Sequence, residues 1–212
     1  MIYIMTPCSR VENLEKIKPT IPEDCTWVVV FDKKVGDINL CVADKCIESE
    51  NTGSFGNPLR NEFLDKFEEQ FTENDWVYIL DDDNIIHPEW YPTIISTLQT
   101  IDMNVNFINW SQKDWVSATK TPKVGNIDTA CYMYKPKSFE NIRYEMDYTA
   151  DGMFAQTIYE LSTPLTLMKE LCYYNYLDPK PKQPTIEIEK IDKSNIHPTL
   201  LQFLYQMEQD NK

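Results

Sequence analysis

Glycine is scarce in this chain, with five in 212 residues. None falls in a G-x-G-x-x-G or G-x-x-x-x-G-K-[ST] pattern. The glycine-rich turns that let a backbone approach a dinucleotide or wrap a phosphate chain are therefore missing. Histidine is scarcer still: His87 and His197 are the only two, which excludes a multi-histidine zinc centre. Basic residues are outnumbered, 20 Lys and Arg against 34 Asp and Glu, for a formal net charge of −14. Such a balance argues against tracking a nucleic-acid backbone or docking on anionic lipid, although a local basic pocket is still allowed. No apolar run approaches the ~20 residues that a membrane-spanning helix needs. The opening Met1–Met5 meets Pro7 too soon to form a secretory leader, so a cytoplasmic location is expected. Six cysteines are present without a leader or a C-x-x-C pair, and reduced, mostly buried thiols are the expectation.

What is present can bury a core, since 42% of residues are hydrophobic and 12% aromatic. Ile2–Met5 reads as a strand stopped by Pro7, and residues 11–17 as a short helix. Cys25–Phe31 is a continuous β-branched run, as in a strand buried on both faces. It ends in Asp32. Residues 33–56 read as loop with a possible short strand at 38–42. Asn57-Pro58 opens a helix, with Asn as N-cap and Pro in the first turn; Leu59, Phe63, Leu64, Phe67 and Phe71 share its apolar face. Trp76–Leu80 is a strand, His87-Pro88 opens another helix, and Val105–Ile108 is strand-like. Strand and helix alternate, which predicts an α/β fold with a largely parallel sheet. The second half is less regular: a strand over 127–134, a helix after Asp151-Gly152, a strand within 165–177, and a tail helix over 198–207.

In such sheets ligands sit beyond the carboxyl ends of the strands. Asp32 and the triplet Asp81-Asp82-Asp83 both fall at such ends. Two carboxylates about 5 Å apart repel by roughly 1 kcal/mol in water and about 3 kcal/mol at intermediate dielectric. A solvated acidic turn would relieve that repulsion; so would a divalent cation. In an extended segment Asp81 and Asp83 face one side and Asp82 the other. Mg²⁺ or Mn²⁺ takes a few oxygen ligands and leaves positions for phosphate, so the pattern suits a metal–diphosphate seat.

These features resemble GT-A glycosyltransferases, whose D-x-D motif holds a metal-bound nucleotide sugar. The segments "IYIMTPC", "TWVVVFD", "GNPLRNEFL", "LDDDN", "IDTACYMY" and "ADGMFAQ" are similar, in order over residues 2–160, to motifs of the inverting glucuronyltransferase type. They look closer still to the glycosyltransferase domain encoded by chloroviruses. The resemblance implies a single GT-A domain over 1–212, with nucleotide-sugar binding in residues 1–110 and acceptor binding in 111–212. It further implies a UDP-sugar donor (glucose- or rhamnose-like), Mn²⁺ or Mg²⁺, a glycan acceptor, inversion at the anomeric carbon and a role in viral capsid glycans. Further domains of a longer polypeptide are allowed.

Residue by residue, the resemblance gives Asp32 the uracil N–H and Arg60 the nucleotide or its phosphates. Thr6 and Pro7 would line the nucleoside pocket. Asp81 would touch ribose or sugar, Asp82 would assist behind it, and Asp128 would reach the donor sugar. Asp83, with His197, would hold the metal. Asp151 would be the general base, with Asp147 in reserve; the family carries Glu at the matching place, so Asp is a departure. Each has a plainer structural reading: a turn carboxylate for Asp32, a helix N-cap for Asp151, a loop residue for His197. Trp110 and Trp115 are either sugar-stacking or core residues, and His87 reads as helix-start structure. The rival functions are a nucleotidyltransferase, against which "TPCSR" lacks a glycine-rich basic loop, an aspartyl phosphatase, and a non-catalytic nucleotide-sugar-binding module.

Overall fold

The computed structural model describes residues 1–35, 38–110, 121–125 and 127–177, all within a compact unit running from Met1 to Asp178. Trp115, His197 and the expected tail helix lie outside the described residues. In chain order the elements are β1 (Ile2–Cys8), a single helical turn α1 (Leu14–Ile17), β2 (Cys25–Phe31), β3 (Lys45–Glu48), α2 (Asn57–Phe67), β4 (Trp76–Ile79), β5 (Ile85–Ile86), α3 (Trp90–Thr100), β6 (Phe107–Trp110), β7 (Tyr132–Tyr134), α4 (Ala150–Glu160), β8 (Pro164–Leu167) and β9 (Cys172–Tyr173).

A seven-stranded sheet runs in the order β3-β2-β1-β4-β7-β6-β8. β3, β2, β1 and β4 are mutually parallel. β7 is antiparallel to both neighbours, and β6 pairs parallel with β8. β5 and β9 form a separate antiparallel pair. Alternate residues of the central strands feed two cores. Tyr3, Met5, Val28, Val30, Val77 and Ile79 face α2 and α4. Ile4, Trp27, Val29, Trp76 and Tyr78 face α1 and α3. The helical spacing seen in the sequence is what packs here: Phe63, Phe67 and Phe71 meet one another and the Tyr3 ring. Each buried ring contributes about 1.5–3 kcal/mol by leaving water.

Several local expectations need correction. Pro7 does not stop β1, which continues to Cys8. Main-chain groups alternate along β1: Met1 and Met5 carbonyls accept from Trp76 and Leu80 on the β4 side, whereas the Cys8 carbonyl accepts from Asp32 on the β2 side. Pro7 shares the parity of Met5, so its missing N–H faces the side where β4 has already ended. The strand expected at 38–42 is a 3₁₀ turn over Ile38–Leu40, and the strand forms instead at Lys45–Glu48; that segment is half-exposed and held by its register on β2, so no apolar period advertises it. Asn57 is not an N-cap. Gly56 takes that position at φ 80°, and Asn57 bonds elsewhere. Cys41 and Cys46 form a disulfide, contrary to the all-thiol expectation, while Cys8, Cys25, Cys131 and Cys172 are buried thiols.

Gly152 lies in the first turn of α4, where a Cβ would come within 2.7 Å of the Val124 Cα. Replacing a helical glycine by alanine usually gains about 1 kcal/mol, but overpacking against backbone costs about 1–3 kcal/mol. Gly152→Ala is therefore expected to lower the urea midpoint; a midpoint at or above wild type would refute the close packing.

Candidate active site

Because β1, β2 and β4 are parallel and in register, their carboxyl ends lie along one edge. That edge carries Ser9-Arg10 after β1, Asp32 after β2 and Asp81–Asp83 after β4. β7 runs the opposite way beside β4, so the residues that precede it, Asp128 and Thr129, arrive at the same edge. The first turns of α2 and α4 add Arg60 and Asp151.

The three adjacent aspartates divide their work. Asp82 is buried at 2% exposure. Its carboxylate accepts from Ser9 N at 2.6 Å, Ser9 Oγ at 3.0 Å, Arg10 N at 2.8 Å and Arg10 Nε at 2.9 Å, with Arg10 Nη2 also in contact. Asn13 Nδ2 donates to its main-chain oxygen at 2.9 Å. Asp82 thus fastens the loop after β1 to β4. Both of its carboxylate oxygens are engaged in that loop. Asp81 and Asp83, alternating with it, stay on the open side. Asp83 Oδ2 lies 2.9 Å from the same Arg10 Nη2 that meets Asp82.

Arg60 is buried at 2% exposure, not an exposed surface arginine. Its Nη2 donates to Asp81 Oδ1 at 2.7 Å. Its Nη1 donates to Asn57 Oδ1 at 2.6 Å and to the Phe55 carbonyl at 3.2 Å, and lies 3.4 Å from Asp151 Oδ1. The guanidinium also stands over the Tyr144 ring. Thr129 Oγ1 reaches Asp81 Oδ2 at 3.4 Å. Asp128 accepts from Ala130 N at 2.9 Å, closing the 3₁₀ turn before β7.

Burial and crowding set the electrostatics. Burial, then Asp81, push the Asp83 carboxyl up to about 6 despite Arg10. Burial, Asp81 and Asp151 push Asp128 up to about 8. Burial also raises Asp151, outweighing the opposing pull of Arg60. Asp151 is not the helix N-cap, which is Thr149. Burial works against Arg60, but Asp81 and Asp151 more than offset it and hold the proton firmly. Asp81, Asp82, Asp83, Asp128 and Asp151 face two guanidiniums, so the edge has surplus negative charge. Oxygen donors with surplus charge suit a hard divalent cation. Among the described residues no group of three or more His, Cys, Asp or Glu is arranged to hold a metal unaided. A cation held by Asp83 with Asp81 would have to complete its shell with ligand oxygens.

The surroundings of Asp32 are built differently. Asp32 accepts from Thr52 Oγ1 at 2.6 Å, Lys34 N at 2.9 Å and Gly53 N at 2.9 Å. Burial raises its pKa, but these bonds outweigh it and hold the carboxyl below its ordinary value. Asp32 also lines an open pocket of about 560 Å³ with Ser9, Val11, Val35, Leu40 and Gly53. Thr6 is fully buried and accepts from Trp27 Nε1 at 3.0 Å, and Pro7 lies against Gly56. Trp110 is core, donating from Nε1 to the Ala130 carbonyl at 2.9 Å. His87 accepts from Glu89 N at 3.1 Å, a helix-start role. Asp147 accepts from Thr149 and stays exposed.

Sequence reasoning missed Arg10, Ser9, Asn57 and Thr129. The signal for the first two was their place immediately after a buried strand, the same cue that marks Asp32. Tyr174 was missed too: burial, then Asp128, raise its phenol. Its turn is laced to the acidic segment by Asn175 N to Asn84 Oδ1 at 2.8 Å and Leu177 N to the Asp83 carbonyl at 2.9 Å.

No family model and no curated protein matches the chain. Solved structures do. Staphylococcus aureus TarS 1–349 in complex with UDP-GlcNAc is 14% identical, with a TM-score of 0.58 over 81% of this chain and 57% of that one. Glucosyl-3-phosphoglycerate synthase from Mycobacterium tuberculosis, with Mn²⁺, UDP and phosphoglyceric acid, is 13% identical, with a TM-score of 0.56 over 85% and 72%. A 4-diphosphocytidyl-2C-methyl-D-erythritol synthase is 13% identical, with a TM-score of 0.52 over 86% and 93%. The chain spans 36% of one TarS chain and 59% of the shorter one. At these identities the likeness is one of fold alone: a GT-A, Rossmann-like sheet flanked by helices, common to all three structures. Among the described residues no helix is long and apolar enough to cross a membrane.

Removing the Arg60 charge leaves buried carboxylates uncompensated, a change that costs about 3–5 kcal/mol. Arg60→Met is expected to unfold at much lower urea at pH 8, with the deficit narrowing toward pH 5 as the carboxylates protonate. A deficit independent of pH would show the loss to be one of packing. The folded-state pKa of Asp83 lies above its unfolded value, so its stabilising contribution is present below about pH 4 and lost as pH rises through about 6. In metal-free buffer, Asp83→Asn should therefore melt higher than wild type at pH 8 and lose that advantage near pH 4.

Proposed function

We propose that the chain is a metal-dependent inverting glycosyltransferase that moves a sugar from a UDP-sugar to a glycan hydroxyl. The observation that supports this best is the gathering of Asp81, Asp128 and Asp151 around buried Arg60, with Asp83 beside them on Arg10, at the carboxyl edge of the sheet. The uridine would lie by the pocket of Asp32, Val35 and Leu40, and the diphosphate near Arg10 and Asp83. The divalent cation, held by Asp83 with Asp81, would supply charge neutralisation of the leaving diphosphate.

Asp151 would take the acceptor hydroxyl's proton as that oxygen bonds to the anomeric carbon from the face opposite the diphosphate. The anomeric C–O bond breaks and its electron pair leaves on the β-phosphate oxygen. A carboxyl raised by burial is a stronger base than an exposed one. Arg60, bonded to Asp81 and close to Asp151, fixes both carboxylates. Asp128 would accept from a donor-sugar hydroxyl, or donate to it when protonated. A UDP-glucose- or UDP-rhamnose-like donor, a virus-encoded setting and capsid glycans as acceptors follow from the sequence resemblance and complete this reading.

The nucleotidyltransferase alternative keeps some support, since a 4-diphosphocytidyl-2C-methyl-D-erythritol synthase shares the fold. Against it, the loop after β1 is Ser9-Arg10 tied down by Asp82, with no glycine to open a phosphate loop.

Ligands that bind only the folded state raise the melting temperature by mass action. UDP with Mn²⁺ should raise it in wild type, and neither the rise nor sugar transfer should survive in Asp83→Asn. Asp151→Asn should keep the rise and lose transfer by about 10²–10⁴-fold. No rise at saturating UDP and Mn²⁺ would sink the transferase reading, and pyrophosphate release from a nucleoside triphosphate with a sugar phosphate would favour the alternative.

A further inference from the structure

Beside the carboxylates stand two aromatic rings that the donor chemistry leaves unused. Phe55 and Tyr148 are each 65% exposed, yet they meet edge to face with centroids 5.1 Å apart. A single exposed ring needs no explanation; an ordered exposed pair on a costly backbone does. Gly53, Ser54, Phe55 and Gly56 all have positive φ, at 72°, 47°, 57° and 80°. Two of these are not glycine, and left-handed conformations at such residues persist only where surroundings impose them.

The surroundings that impose them belong to the site. Asp32 Oδ2 accepts from Gly53 N at 2.9 Å, and Arg60 Nη1 donates to the Phe55 carbonyl at 3.2 Å. That same Nη1 lies 3.4 Å from Asp151 Oδ1. Tyr148 is held from the other side: Asn57 Nδ2 donates to the Asp147 carbonyl at 2.9 Å, and Thr149 N donates to Asp147 Oδ1 at 2.8 Å.

We propose that the Phe55–Tyr148 pair is the platform on which a pyranose ring of the acceptor glycan stacks, with its hydroxyl delivered to Asp151. The apolar C–H face of a pyranose covers an aromatic ring well, while a phenol edge can bond its hydroxyls. A nucleobase is the weaker candidate, because neither ring lines the pocket of Asp32, Val35 and Leu40. The proposal rests on the transferase reading and deepens it.

Saturation-transfer NMR would test it, with methyl gluco-, galacto-, manno- and rhamnopyranosides as probes in the presence of UDP and Mn²⁺. Wild type should bind at least one glycoside. Phe55→Ala/Tyr148→Ala should weaken that binding about tenfold, with Phe55→Trp retaining it, and with the UDP-driven melting rise unchanged in all. Because both rings are exposed, the apo melting temperature should scarcely move. Wild type binding none of the glycosides, or the double variant binding like wild type, would overturn the platform. Glycoside binding without any UDP-driven rise would uphold the platform and overturn the donor reading instead.

Discussion

A buried guanidinium holds this site together. Arg60 is surrounded by the carboxylates of Asp81 and Asp151, the amide oxygen of Asn57 and the carbonyl of Phe55. A lone buried cation is costly, and so is each carboxylate without it. Together they fix the end of β4, the start of α2 and the start of α4 relative to one another. The position of Arg60 depends in turn on α2 beginning where it does, after a left-handed Gly56 that packs on Pro7. One charge thus links a strand end, two helix starts and a loop.

Compensation is nevertheless incomplete. Arg10 is committed to Asp82 and Asp83 and Arg60 to Asp81 and Asp151, so Asp128 feels Arg60 only at a distance, too weakly to offset burial and its carboxylate neighbours. The upward pKa of Asp83, Asp128 and Asp151 has burial as its first cause and neighbouring carboxylates as another. Functional sites commonly trade stability in this way. In the proposed reading the trade has a direction: a divalent cation at this edge would offset that charge and make room for a diphosphate.

The architecture was largely legible because its signals are periodic. The continuous apolar run of β2 and the Phe63-Phe67-Phe71 spacing of α2 are set by burial, which leaves a mark at every second or third residue. The strand-end acids Asp32 and Asp81–Asp83 were legible for a related reason, since a buried strand ends abruptly at its charge. What was hidden depends on pairing across distance. β3 is exposed and takes its conformation from β2. The roles of Arg10 and Asn57 appear only when segments up to 90 residues apart meet. The division between Asp82, which fastens a loop, and Asp83, which faces the open edge, followed the alternation of an extended chain. Its partner, Arg10, carried no local sign of that role.

The reversed strand β7 has a consequence for how the molecule folds. β1 to β4 form a parallel layer within the first 79 residues, and Asp81, just past the end of β4, pairs with Arg60 beside it. Asp128 and Asp151 join only when β7 pairs with β4 at Val77–Tyr134 and Tyr78–Met133, across a long loop closure. Closing that loop brings two more carboxylates onto a guanidinium already matched to one. Around Arg60, carboxylate repulsion works against this closure, while the ion pair to Asp151 and the burial of Tyr132, Tyr134 and Phe154 favour it. The site is thus held shut by hydrophobic burial together with a single buried cation.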